Sequence, residues 1–93
     1  CGAFSYVREH KPPFTVASVV DFYANCDFDF GISVDHVILD YDADFDSRRR
    51  GAPAVPDALK DRQEITLTLA KEFLRERTAF DARFEPMGVA QGW

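Results

Sequence analysis

Two helix-patterned stretches alternate with short runs of β-branched and aromatic residues, and this alternation most restricts what the chain can become. Pro12-Pro13 breaks the backbone, and Phe14-Thr15 then opens a helix with Thr15 as its N-cap. Phe14 and Val19 stand where a hydrophobic staple places them. Val16, Val19, Val20 and Tyr23 recur at helical spacing on one face, so the helix should end near Asn25. The next apolar run, residues 28–39, has a strand as its centre over residues 30–34. A charged loop with Gly51 and Pro53 covers residues 40–55. Pro56-Asp57 starts a second helix, with proline near the first helical position. Ile65, Leu69 and Phe73 line one face of it to about Arg77. Residues 84–91 form a further strand, interrupted by Pro86, with residues 87–90 as its buried centre. Residues 4–7 read as a strand remnant or as a loop leaving a strand.

The resulting order, (β)-α-β-α-β, implies parallel strands joined by crossovers, an α/β fold. Ninety-three residues make one small domain. Nine phenylalanines are more apolar surface than this length buries by itself. The chain starts at Cys1 and stops at Trp93 directly after a strand-like run, which reads as an internal segment of a larger protein, cut at both ends.

A formal net charge of -5 argues against a free-standing nucleic-acid module. It leaves nucleic acid open as a partner of the whole protein, because charge is local. Arg48, Arg49 and Arg50 form one basic run, and Arg75 and Arg77 another; a solvated loop and a solvated helix end account for both. The two cysteines, Cys1 and Cys26, are too few for a disulfide framework and lack metal-ligand spacing. A reduced, cytoplasmic setting is the default. No apolar run approaches the ~18 residues of a spanning helix, so no membrane is expected.

Several motifs dissolve on inspection. From Asp40, the acidic run would need glycine at the sixth and glutamate at the twelfth position to form a calcium loop, and those positions hold Phe45 and Gly51. It reads as a solvated loop. His36 lies on the face opposite Asp35 if the strand continues, which suits a structural histidine. Cys26 reads as a core residue at a helix end. No phosphate-cradling glycine loop, zinc spacing or nucleophile elbow is present.

Two short polar words remain, Ser33-Val34-Asp35-His36 and Val89-Ala90-Gln91-Gly92, each following an apolar run. In a parallel sheet, ligand groups gather at the carboxyl ends of strands. Asp35 and Gln91 end successive strands and should therefore meet at one rim. Guanine and its 7-deaza relatives present two adjacent N–H donors and a carbonyl oxygen along one edge. A carboxylate accepts from both donors, while an amide NH2 and a backbone N–H serve the oxygen. Adenine places an acceptor where guanine has its ring N–H and would be repelled. Phe4 is the candidate for stacking on the base.

Cys1-Gly2-Ala3-Phe4-Ser5-Tyr6, Gly31-Ile32-Ser33-Val34-Asp35-His36-Val37 and Met87-Gly88-Val89-Ala90-Gln91-Gly92 resemble, in order and spacing, the tRNA-guanine transglycosylase family. The wording around Phe4-Ser5-Tyr6-Val7 and Ser33-Val34-Asp35-His36-Val37-Ile38 looks closer to the phage and bacterial branch that places 7-deazaguanines into DNA. The resemblance implies a (β/α)8 TIM barrel, with residues 1–93 an internal part of its catalytic domain. It implies exchange of guanine for a 7-deazaguanine, with tRNA or DNA as partner and a homodimer allowed. It places the proton-handling aspartate just before Cys1, and the nucleophilic aspartate and the zinc ligands beyond Trp93. No catalytic or metal-binding residue is then expected within the chain. What carries over is substrate binding: Asp35 to the N–H edge, Gln91 and the Gly92 backbone to the carbonyl oxygen, Phe4 stacking and Cys1 lining the pocket.

The chain departs from the family pattern in three places. Cys1-Gly2-Ala3 stands for the Ser-Gly-Gly of the bacterial tRNA enzymes, Trp93 stands for a glycine, and the acidic loop is longer. These leave the acceptor and the inserted base open. Two other readings stay in view: a metal-dependent barrel hydrolase using Asp35, His36 and the acidic loop, and a non-catalytic scaffold subunit with a degenerate site.

Overall fold

The computed structural model describes residues 6–93. Its elements are helix α1 (Val16–Asn25), strand β1 (Phe30–Ile32), a single 3-10 turn (Ala43–Asp46), helix α2 (Asp57–Ala79) and strand β2 (Glu85–Met87). β1 and β2 are parallel, with Gly31 opposite Pro86, so β1, α2 and β2 make one βαβ unit with α1 packed on both α2 and β1. The α/β alternation is therefore present. The part of the first strand proposed at Phe4 and Ser5 lies outside the described residues, and Tyr6 and Val7 belong to a turn.

α1 begins as its sequence dictates. The Thr15 hydroxyl accepts the Ser18 N–H at 3.2 Å, which satisfies one of the donors a helix start leaves open. Val16 and Val20 are fully buried and join Phe73 of α2 and Phe84 in the core, with Val19, Tyr23, Leu69 and Ala82 packed around them. In α2 the buried positions are Leu59, Thr66 and Phe73, two helical turns apart. Ile65 and Leu69 flank that line at half burial.

Both helices end in the same way. Asp27 and Asp81 adopt left-handed backbone, with φ of 56° and 49°. The Phe28 N–H reaches back to Tyr23 O at 3.2 Å, and the Ala82 N–H to Arg77 O at 3.1 Å. These are the six-to-one bonds of a Schellman stop, with aspartate where glycine is usual. Cys26 caps α1 on the solvent side and is exposed, which corrects its reading as a core residue.

The strands are shorter than their apolar runs. Beyond β1, Ser33 still donates to Met87 O at 2.9 Å, after which pairing stops. β2 covers Glu85–Met87, and the expected buried centre at residues 87–90 is corrected: Met87 is 48% exposed, and Gly88 and Ala90 are exposed. The side of the sheet carrying Phe30, Ile32 and Met87 has no layer over it among the described residues. Glu85 donates to Asp29 O at 2.8 Å and Met87 accepts from Ser33, so the intervening Pro86 turns its missing N–H away from β1. Proline is tolerated in a strand at such a place.

Candidate base-recognition site

Past the end of β1 the chain runs inward. Ser33, Val34, Asp35 and His36 are all buried, although among the described residues none past Ser33 pairs as a strand. Side-chain and peptide bonds from four other parts of the molecule hold this segment instead.

Tyr6 donates its phenol to the Asp35 carbonyl at 3.1 Å. The His36 N–H donates to the Thr66 hydroxyl at 3.0 Å, and the His36 ring donates from Nε2 to the Glu9 carbonyl at 2.6 Å. Arg62 donates to Val37 O and to Val7 O, both at 2.7 Å. Gln91, beyond the end of β2, completes the set. Its oxygen accepts the Ile38 N–H at 3.0 Å. Its Nε2 donates to His36 O at 2.8 Å and to Thr66 Oγ1 at 2.9 Å.

The parallel pairing thus brings the Gln91 side chain to the peptide that follows Asp35. In this arrangement both amide hydrogens and the amide oxygen of Gln91 are engaged within the protein. Gly92, next to it, is exposed. Cys1 and Phe4 lie outside the described residues.

Asp35 faces a different environment. It is 3% exposed, and its Oδ1 has no hydrogen-bond partner among the described residues; the same holds for Ser33 Oγ and His36 Nδ1. Burial drives the Asp35 carboxyl above the ordinary carboxylate range, with its own backbone and His36 acting in the opposite sense. Burial, with Asp35 nearby, also raises the Tyr6 phenol. Asp35 and Ser33 lie on the wall of a cleft of about 400 Å³ between α1 and the end of β1, whose other walls include Tyr6, Phe14, Phe22 and Tyr23. That is a mostly aromatic slot with a few polar groups, the usual make-up of a small-molecule site. An unpartnered buried carboxyl is costly to ionise unless donors reach it. A ligand offering two N–H groups would supply them.

The acidic loop closes on itself. Asp42 caps the 3-10 turn through the Asp44 N–H at 2.9 Å, Arg49 pairs with Asp44, and Trp93 donates to Asp46 at 3.2 Å. Among the described residues there is no group of three or more His, Cys, Asp or Glu side chains able to hold a metal. No helix among them is long and apolar enough to cross a membrane.

Sequence reading alone missed Tyr6, Arg62 and Thr66. Arg62 and Thr66 stand one turn apart on α2 and carried a signal of a kind: a cation and a hydroxyl on the helix face that otherwise buries Leu59 and Phe73.

No family model matches the chain. It is 41% identical over 93 residues, its whole length, to a DNA-guanine transglycosylase of Salmonella montevideo, and it spans 21% of that protein. The similarity to that transglycosylase therefore runs along the whole of this chain.

Proposed function

We propose that the chain is the base-recognition part of a cytoplasmic enzyme that replaces guanine in DNA by a 7-deazaguanine, a base-exchange pentosyltransferase. The observation that carries this reading is the 41% identity, along the whole chain, to a protein named DNA-guanine transglycosylase. The buried carboxyl of Asp35 in an aromatic cleft supports it from the chemistry.

In this reading Asp35 accepts the ring N–H and the exocyclic N–H of guanine. Both bonds go to an ionised acceptor, the stronger kind, and they offset the burial that raises its pKa. Adenine would set a ring nitrogen lone pair against the carboxylate. Gln91 and the Gly92 backbone serve the carbonyl oxygen. Phe4 stacks on the base and Cys1 lines the pocket.

In this reading the nucleophile, the proton-handling aspartate and the zinc ligands belong to parts of the protein outside residues 1–93, and this chain binds and orients the base without making or breaking the glycosidic bond. The parallel βαβ unit, with its uncovered sheet face, is the kind of piece from which a (β/α)8 barrel is assembled. A metal-dependent hydrolase would call for a ligand cluster, and the described residues offer none.

The test is incorporation of labelled guanine by the intact protein, offered DNA and tRNA separately. Label should enter DNA, Asp35→Ala should abolish it, and residues 1–93 by themselves should be inactive. Absence of exchange into either polymer, or full exchange by Asp35→Ala, would refute the reading.

A further inference from the structure

We infer that Thr66, with Arg62 one turn before it on α2, is a positioning residue that sets the selectivity of Asp35 for the base. This inference rests on the base-exchange reading above.

Thr66 is the meeting point of the two polar words. Its hydroxyl oxygen accepts from the His36 N–H at 3.0 Å and from Gln91 Nε2 at 2.9 Å, and it is 4% exposed. A hydroxyl oxygen has two lone pairs, so both are in use and both bonds are shielded from water. The first fixes the peptide that joins Asp35 to His36. The second holds the amide from the end of β2.

Arg62 acts on the same segment from the next turn of the helix. Its guanidinium joins Val37 O to Val7 O at 2.7 Å each, tying the stretch after Asp35 to the turn that follows Tyr6. Tyr6 in turn holds the Asp35 carbonyl at 3.1 Å. The segment carrying Asp35 has left the sheet ladder, because pairing ends at Ser33. Among the described residues its place is therefore fixed by these side chains and not by strand neighbours. Neither Thr66 nor Arg62 lines the cleft, so neither is expected to touch the base. They act on it through the placement of Asp35 and Gln91.

Hypoxanthine is guanine without the exocyclic amino group, so it lacks one of the two donors facing Asp35. The ratio of guanine to hypoxanthine affinity, read as the ratio of their inhibition constants against exchange by the intact protein, reports how well the carboxylate is placed. It does not depend on the fraction of folded enzyme.

Thr66→Val removes the hydroxyl at nearly constant volume and should reduce that ratio by about tenfold, the worth of one well-placed hydrogen bond. Thr66→Ser keeps the hydroxyl and should keep the ratio. Arg62→Lys loses the fork that reaches two carbonyls at once. It should move the ratio in the same direction and decides the matter if Thr66→Val fails to fold. A wild-type ratio in folded Thr66→Val or in Arg62→Lys would overturn the inference even if the melting temperature fell. So would loss of the ratio in Thr66→Ser. An intact wild-type protein that exchanges no guanine at all would remove the base-exchange reading itself, and this inference with it.

Discussion

A carbon atom placed on Gly31 in the position of a Cβ would lie 2.7 Å from the Phe84 ring and 2.9 Å from the Tyr23 ring. The two aromatic side chains close over the strand where β1 has none of its own. This is how Phe84 and Tyr23, 5.4 Å apart between ring centroids, bring α1 down onto the sheet. Gly31→Ala should therefore force both rings outward and destabilise the protein by about 1–3 kcal/mol, the cost of overpacking a filled site. Chemical denaturation of the intact protein checks it, and a loss below about 0.5 kcal/mol would mean that the rings move aside freely.

The aspartates that end the two helices lead to an opposite expectation. Asp27 and Asp81 hold positive φ, where a side chain is penalised and glycine is not. Asp27→Gly and Asp81→Gly should each raise stability by about 0.5–1 kcal/mol. A fall in melting temperature for either variant would show that its carboxylate contributes more than its backbone conformation costs.

Gln91 tests the network behind the site. Changing Gln91→Glu keeps the shape but replaces the NH2 that serves His36 O and Thr66 Oγ1 with a carboxylate oxygen. The His36 carbonyl then faces an acceptor, and the expected loss is about 1–3 kcal/mol, as for a buried group left without its partner. Thermal unfolding at neutral pH measures it. Recovery on acidification, as the new carboxyl takes up a proton and becomes a donor, would identify the lost hydrogen bond as the cause.

Much of this arrangement was legible in the residues. The Thr15 cap, the valine face of α1 and the reach of α2 followed from periodicity and capping chemistry, which are local. The place of Asp35 past the end of β1 followed from the alternation of elements. The ends of the strands did not, because pairing depends on which neighbour is present. Among the described residues β2 pairs with β1 alone, and the sheet face that carries Met87 has no layer over it, so Met87, apolar in sequence, stands exposed. The helix ends were legible to within two residues, but the left-handed aspartates beyond them were not, since aspartate is a weaker signal for left-handed backbone than glycine. Least visible was the engagement of Gln91. An amide at a strand end can face a ligand or a peptide, and only the positions of Thr66 and His36, remote in sequence, decide which it meets.

The Asp35 carboxyl carries a pH dependence whose sign is opposite to that of a salt-bridged acid. Burial raises its pKa in the folded protein above the ordinary value. The folded state therefore holds this proton more tightly than the unfolded chain does. Between the ordinary carboxylate pKa and the raised one, the folded form binds more protons, so stability falls as pH rises through that window and levels off above it. Asp35→Asn removes the ionisation. It should flatten this part of the stability profile and make the variant more stable than the parent on the alkaline side of the window. The same change puts an NH2 where guanine presents N–H groups, so affinity for the base should fall by a factor of 100 or more, taking roughly 3 kcal/mol for a buried charged partner. Guanine binding by the parent should weaken as pH drops through the raised pKa, because the protonated carboxyl accepts less well. Calorimetric titration with guanine, paired with denaturation across the same pH range, reads both effects. A stability profile that is the same for parent and variant would show that Asp35 is not the group that titrates there.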